Sequence, residues 1–104
     1  MSRVELALIQ TTQPQVYTTG HVYNAQGKRV PDEAGNLIIE SYIEHGSVLS
    51  LPSGSYRYEF RFSRNGDHMI ESRRADDRAP TSDPLACSTR GTSLEGWHYD
   101  FEAP

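Results

Sequence analysis

The chain has 104 residues, a net charge of −4 and a single cysteine, Cys87. Its length fits one domain, the lone cysteine excludes an internal disulfide, and the mild negative charge argues against a nucleic-acid-binding surface. No run approaches the ~20 apolar residues of a membrane-spanning helix, and the first residues lack the apolar core of a signal peptide. We therefore expect a soluble, cytoplasmic protein that binds no membrane, with export without a leader as the alternative.

The first half of the chain is patterned as short strands separated by turns. Alternation from Val4 to Ile9 predicts a first strand, and residues 16–24, which are rich in β-branched and aromatic side chains, predict a second. Residues 37–44 predict a third strand. Because apolar residues fall on both of its faces, we expect it to be central in a sheet. Residues 48–51 predict the next strand.

The clearest strand of the sequence follows, over residues 56–62. Four aromatic residues occupy alternate positions and three charged residues lie between them. Successive side chains of a strand point to opposite faces, so the aromatic face predicts a core and the charged face predicts solvent. The Asn65–Gly66 pair is a strong hairpin signal and predicts that residues 68–71 pair back.

The strand pattern stops from Ser72 to Ser93 and resumes at Trp97. The intervening stretch has two prolines, few apolar residues and many charges, which predicts one long polar loop that is flexible or serves as an interface arm. Residues 97–101 then predict a last aromatic strand. The whole pattern predicts one domain over residues 1–104, an all-β, small antiparallel β-sandwich with about seven strands in Greek-key order.

Two turn segments resemble those of a known family. The segment GHVYNAQG (20–27) is similar to the opening motif of carboxypeptidase regulatory-like domains, and LPSGSY (51–56) is similar to their closing motif. These domains belong to a transthyretin-like group of seven-stranded Greek-key sandwiches. The resemblance implies that architecture and an accessory or adhesion role, and it names no ligand.

The histidines are the residues to examine for metal binding or catalysis. Those close to carboxylates in sequence are His45 beside Glu44, His68 beside Asp67, and His98 beside Asp100. Because no HxH, HExxH or CxxC spacing is present, we predict no metal site and no cofactor. Cys87 has no recognisable activating neighbour, and a free cysteine is more often a small buried hydrophobe. We therefore predict no catalytic residue.

Carbohydrate binding fits the residue types better. Sugar-binding sandwiches stack sugar rings on exposed aromatic side chains and hold the hydroxyl groups with Asp, Asn, Arg and His. Tyr17, Tyr23 and Tyr42, which fall outside the predicted core face, supply the aromatic material. The polar segment 73–80 carries charges of both signs and is predicted to be a solvated flexible loop, with a loop that orders on binding or a strand exchanged between subunits as alternatives. The predicted ligand-binding residues are Tyr23, Tyr42, Arg73, Arg74, Asp76 and Asp77.

We therefore expect a non-catalytic binding or assembly module. It would recognise a protein or glycan partner through loops or an edge strand, and exposed edges of small sandwiches also favour a homo-oligomer. The alternative is a small metal-dependent or hydrolytic enzyme that uses a cluster of histidines and carboxylates.

Overall fold

In the computed structural model, two antiparallel β-sheets pack face to face. The structure describes residues 1–43, 45–75, 87–91 and 97–104. The strands are β1 (Ser2–Thr11), β2 (Tyr17–Tyr23), β3 (Arg29–Val30), β4 (Ile39–Tyr42), β5 (Ser47–Leu51), β6 (Gly54–Phe62), β7 (Gly66–Arg74), β8 (Cys87–Gly91) and β9 (Trp97–Ala103). In these ranges there is no helix that could span a membrane. The predicted all-β sandwich is confirmed.

The two sheets differ in size and strand order. One has four strands in the order β5-β1-β7-β8, and the other has five, with β3-β2-β6-β9 in a row and β4 also paired with β2. Strands β3 and β4 share one edge of β2, since β4 pairs with residues 17–20 and β3 with residues 22–23. The nine strands of the described ranges exceed the predicted seven because β3 and β8 were not anticipated.

The core lies between the sheets and follows the predicted alternation. On β6, the aromatic residues are buried and the charged residues between them are exposed. The rings of Tyr56 and Phe101 stack at 5.8 Å between centroids, which joins β6 to β9. The opposite sheet contributes Val4, Leu6, Leu8, Leu49, Leu51 and Ile70. Burying a large apolar side chain stabilises the fold by about 1.5–3 kcal/mol.

Strand β4 lies at an edge, so the prediction that residues 37–44 form a central strand is wrong. The strand covers only Ile39–Tyr42, and within the named strands it pairs with β2 alone. Ile39 is buried, but Leu37, Ile38 and Ile43, which flank the strand, are exposed. The apolar residues on both faces therefore reflect a partly exposed edge rather than burial on two sides.

Strand structure also enters the stretch predicted as a polar loop. Strand β7 continues to Arg74, and Cys87–Gly91 forms β8, which pairs with residues 66–70 of β7. The prediction of a loop through residues 72–93 is wrong at these two places. Its remaining residues, apart from Ala75, lie outside the described ranges. Strand β8 is held by a backbone ladder, which requires no apolar pattern and leaves no signal in the sequence.

Gly20 allows the backbones of β2 and β6 to lie close together. A Cβ atom at this position would lie 2.6 Å from Phe60 Cα and still closer to the Glu59 carbonyl oxygen. Both neighbours are backbone atoms that cannot rotate away. Glycine therefore allows the outward side chains of β2 to lie directly beside those of β6.

Candidate ligand-binding face

The solvent-facing side of the five-stranded sheet, here named the outer face, collects aromatic and polar side chains. Their positions follow from strand alternation and register. They are Tyr17, Thr19, His21 and Tyr23 on β2, Glu40 and Tyr42 on β4, Arg57, Glu59 and Arg61 on β6, and His98 and Asp100 on β9. Unlike a purely charged solvated face, this surface has tyrosines along β2 and β4.

Strand register arranges the middle of the outer face in rows. One row is Tyr23–Arg57–Asp100, and the next is His21–Glu59–His98. Directly opposite residues of antiparallel strands have Cβ atoms about 4.5–5.5 Å apart. Each row therefore brings hydrogen-bonding groups from separate strands within reach of one ligand.

Three adjoining grooves follow the outer face. The first groove lies beside the β2–β3 turn and has a volume of about 790 Å³. The second crosses the middle of the sheet and shares Tyr23, Arg57 and Glu59 with the first. The third runs along β4 and shares Ile38 with the second. We call this connected path the outer-face groove. It is open along its length, and its shape suits an extended ligand better than a small enclosed molecule.

Two tyrosines form a platform at the β4 end of the face. The ring centroids of Tyr17 and Tyr42 lie 5.5 Å apart with planes tilted by 31°, and the residues are 38% and 41% exposed. The Tyr42 hydroxyl donates a hydrogen bond of 3.0 Å to Glu40 Oε2, and this bond raises the pKa of Tyr42. The hydrogen bond fixes one ring of the tyrosine platform in place.

An ion pair orients the guanidinium group in the first groove. Arg57 Nε donates to Asp100 Oδ1 at 2.8 Å, and Nη2 donates to Oδ2 at 3.4 Å. The hydrogen bond from Arg57 lowers the pKa of the Asp100 carboxyl. Because both side chains are more than half exposed, the pair adds little to stability. Its effect is to fix the direction of the remaining N–H donors of Arg57.

Other polar groups of the outer-face groove are free to bind a ligand. Within the described part of the chain, the side chains of Glu59, Arg61 and His98 form no hydrogen bond with another residue. His21 differs, since its Nδ1 lies 3.0 Å from the Leu37 carbonyl oxygen. These three side chains offer one carboxylate acceptor and two groups that can donate, and all three are exposed.

The structure separates the site residues that the sequence predicted. Tyr23 and Tyr42 both lie on the outer face, Tyr23 where the first and second grooves meet and Tyr42 in the third. Arg74 is exposed at the end of β7 in the other sheet. Outside the described ranges lie Asp76 and Asp77. Of the predicted site residues that the structure describes, only the two tyrosines lie together on the outer face.

Arg73 is engaged by carboxylates of the four-stranded sheet. Its Nη2 lies 2.6 Å from Glu5 Oε1, and its Nη1 lies 3.6 Å from Glu71 Oε1. All three side chains are at least three-quarters buried. Removing one partner of such a largely buried pair destabilises a fold, because the charge that remains would be poorly solvated. The ion pair of Arg73 with Glu5 therefore links β7 to β1.

The sequence pattern did not mark the middle of the outer face as a site. His21, Glu59 and Arg61 were not among the predicted ligand-binding residues. The alternation of β6 did place Glu59 and Arg61 on the solvent side. Their position beside Tyr23 and His21, however, depends on the pairing of β2 with β6, and a single sequence carries no direct signal for that register.

The histidines considered for metal binding are dispersed. His68 is buried, with Nδ1 2.7 Å from Thr11 Oγ1 and Nε2 2.9 Å from the Arg64 carbonyl oxygen, and its ring packs on Phe62. It is a core residue. His45 is exposed and lines the third groove. Across the described residues, no three His, Cys, Asp or Glu side chains are grouped so that they could hold a metal ion.

Comparison with known proteins adds no relative. No family model matches the chain, and neither do the curated proteins or the solved structures. The resemblance to carboxypeptidase regulatory-like domains rests on the two turn segments. In the first of these, Gly27 N–H donates to the Asn24 carbonyl at 2.9 Å, and Gly27 has a positive φ of 76°.

Proposed function

We propose that this chain is a non-catalytic carbohydrate-binding module whose ligand lies across the outer face. The observation that carries the proposal is the outer-face groove, which is lined by Tyr23 and Tyr42 and, between them, by polar side chains that form no hydrogen bond with another described residue. An open groove of this kind fits a linear glycan several sugar units long.

The tyrosines supply the apolar part of the recognition. The face of an aromatic ring carries partial negative charge, and the C–H groups on one side of a pyranose ring are weakly positive. Tyr42 offers such a face in the tyrosine platform, and Tyr23 offers another beside Arg57. The separation of these rings along the sheet favours an extended chain of sugars over a monosaccharide.

The middle of the groove supplies the polar part. A sugar hydroxyl both donates and accepts hydrogen bonds, so the Glu59 carboxylate and the Arg61 guanidinium match it from the two sides. Charges of both signs occur along the face. This balance favours a neutral, hydroxyl-rich ligand over a strongly acidic or basic one, and it also favours a glycan over an apolar protein surface.

The test is a binding screen of the purified protein against linear oligosaccharides of glucose, xylose, mannose, N-acetylglucosamine and uronic acids, followed by calorimetry. We expect Tyr42→Ala and Tyr23→Ala each to weaken binding about tenfold, which corresponds to ~1.4 kcal/mol. Glu59→Gln should weaken binding by a similar factor, because the amide keeps the shape but loses the charged acceptor.

Arg61 and Arg64 provide a matched pair of variants. Both are exposed, but Arg61 lines the second groove whereas Arg64 lies in the β6–β7 turn. Arg61→Ala should weaken binding, and Arg64→Ala should leave it unchanged. A folded protein that binds no oligosaccharide of the screen, or equal effects of the two arginine variants, would refute the proposal.

A further inference from the structure

The edges of the two sheets are not equally protected. Along β5, the Glu33 N–H donates to the Val48 carbonyl at 2.9 Å, so the loop before β4 covers that edge. Along β4, the Ser47 hydroxyl donates to the Glu40 carbonyl. Strand β3 has only two residues. Coverage by loops and shortness are both means by which sheets prevent further strand pairing.

Strand β9 has none of these protections among the described residues. It pairs with β6 without a bulge over all seven of its residues, Trp97–Ala103, and this stretch contains no proline, glycine or lysine. No described strand pairs along its other edge. Alternate N–H and C=O groups of β9 therefore point away from the sheet, which makes the strand a template for another strand.

We propose that β9 pairs antiparallel with β9 of a second copy of this chain, about a two-fold axis at Tyr99. The pairing joins the two five-stranded sheets into one continuous sheet. His98 then lies opposite Asp100 of the partner subunit, and by symmetry the same contact forms twice. Trp97 lies opposite Phe101 of the partner subunit, so the aromatic inner faces also continue across the interface.

Charge selects this register. Within one copy, Glu59 lies beside His98 and Arg57 lies beside Asp100. When two copies join at Tyr99, the row Glu59–His98 of one copy continues into Asp100 of the partner subunit and then the partner's Arg57. Negative and positive groups therefore alternate across the interface. A shift of the axis to residue 100 would instead place Asp100 opposite Asp100 of the partner subunit, and like charges directly opposite each other destabilise a strand pair.

The dimer is a separate proposal from glycan binding, since the edge of β9 makes its strand pair, although His98 lies both in that pair and in the second groove. It would nevertheless extend the ligand-binding surface. Asp100 lines the first groove and His98 lines the second, so the outer-face grooves of two copies would meet at the new strand pair. A failure of either proposal leaves the other standing.

Sedimentation velocity of the purified full chain tests the dimer. We expect the wild type to sediment as a dimer. His98→Asp should convert it to a monomer, because two carboxylates would then face each other at both symmetric contacts. Ser53→Asp adds the same charge on an exposed loop outside β9 and should remain dimeric. A wild type that stays monomeric at the highest attainable concentration would overturn the proposal.

A charge exchange separates repulsion from misfolding. Asp100→Lys alone should be monomeric, since it removes both carboxylates from the interface. When the Asp100→Lys and His98→Asp chains are mixed, opposite charges face each other again and a heterodimer should form. A heterodimer would also show that both variants are folded. Two monomers that do not associate on mixing would contradict the register.

Disulfide trapping tests the register directly, in a chain that carries Cys87→Ser. A mixture of His98→Cys and Asp100→Cys chains should cross-link under mild oxidation, because Cα atoms directly opposite each other lie about 4.5–5.5 Å apart, within the range that a disulfide spans. Neither chain alone should do so. Cross-linking of Asp100→Cys with itself would place the axis at residue 100 and overturn the proposed pairing.

Discussion

Replacing Tyr58 with phenylalanine isolates one hydroxyl group in the centre of the sandwich. Tyr58 is fully buried, its hydroxyl donates to the Ile39 carbonyl at 2.9 Å, and it lies 3.0 Å from Thr18 Oγ1. Since the single proton of Tyr58 goes to Ile39, the Thr18 hydroxyl must be the donor in the second bond. The phenol therefore connects β6 to both β2 and β4.

The magnitude of the effect follows from these two bonds. Tyr58→Phe keeps the ring packing but leaves a buried carbonyl and a buried hydroxyl without their partner, which costs about 1–3 kcal/mol. Tyr56→Phe is the matched control. The Tyr56 hydroxyl donates to the carbonyl of Pro52, an exposed residue, and water can replace this bond. The control should therefore lose about 1 kcal/mol or less.

The pH dependence gives a second signature of the same group. Burial raises the pKa of Tyr58 to about 12, above the ~10 of an unfolded tyrosine. The neutral phenol thus contributes full stability below pH 10, and this contribution is lost as the pH rises from about 10 to about 12. Two pH units correspond to about 3 kcal/mol, so the stability advantage of the wild type over Tyr58→Phe should close over that range.

Urea unfolding followed by tryptophan fluorescence, at neutral pH and in steps above pH 9, measures both signatures. Trp97 is the single tryptophan and packs against the core, so it reports the transition. The reasoning is refuted if Tyr58→Phe is no less stable than Tyr56→Phe at neutral pH. It is also refuted if the difference between wild type and Tyr58→Phe stays constant up to pH 12.

Three further stability predictions are checked by the same unfolding assay. Phe60→Ala should cost about 3–5 kcal/mol as a core cavity, whereas Arg61→Ala should cost under ~1 kcal/mol; equal effects would contradict the two faces of β6. Gly20→Ala should destabilise the fold by several kcal/mol, because the new methyl group would overlap the β6 backbone. Gly27 has open space around it but a positive φ, so Gly27→Ala should cost only about 1–2 kcal/mol. A smaller loss of stability at Gly20 than at Gly27 would contradict the close approach of β2 to β6. Arg73→Leu should cost about 1–3 kcal/mol because it leaves two largely buried carboxylates without their cation, and a neutral result would show that these carboxylates are well solvated.

Strict alternation made part of the fold predictable from the sequence. Over residues 56–62 of β6 and 97–101 of β9, aromatic and polar residues alternate without exception, so periodicity alone predicted both strands and the face that each turns inward. The same rule failed around β4. Ile38 and Ile43 are as apolar as core residues, but they are exposed at an edge, and hydrophobicity does not distinguish a central strand from an edge that exposes apolar groups.

The candidate site was predictable only in part for a similar reason. Tyr23 and Tyr42 were chosen because they fell outside the core face, and both lie on the outer face. Arg73 was chosen for its charge, but its partners Glu5 and Glu71 come from pairing between β1 and β7 and from within β7 itself. Long-range register decides which charges are already paired and which stay free to bind.

The most direct test of the binding proposal is a titration of ¹⁵N-labelled protein with the oligosaccharide panel, monitored by amide chemical shifts. A bound linear glycan should shift amides of β2, β4 and β6 along the outer-face groove, including those of Tyr23, Glu59 and Tyr42. Amides of β1 and β5 in the opposite sheet should not move. Shifts confined to the four-stranded sheet, or no shifts with any oligosaccharide, would contradict the proposal that the outer face binds glycans.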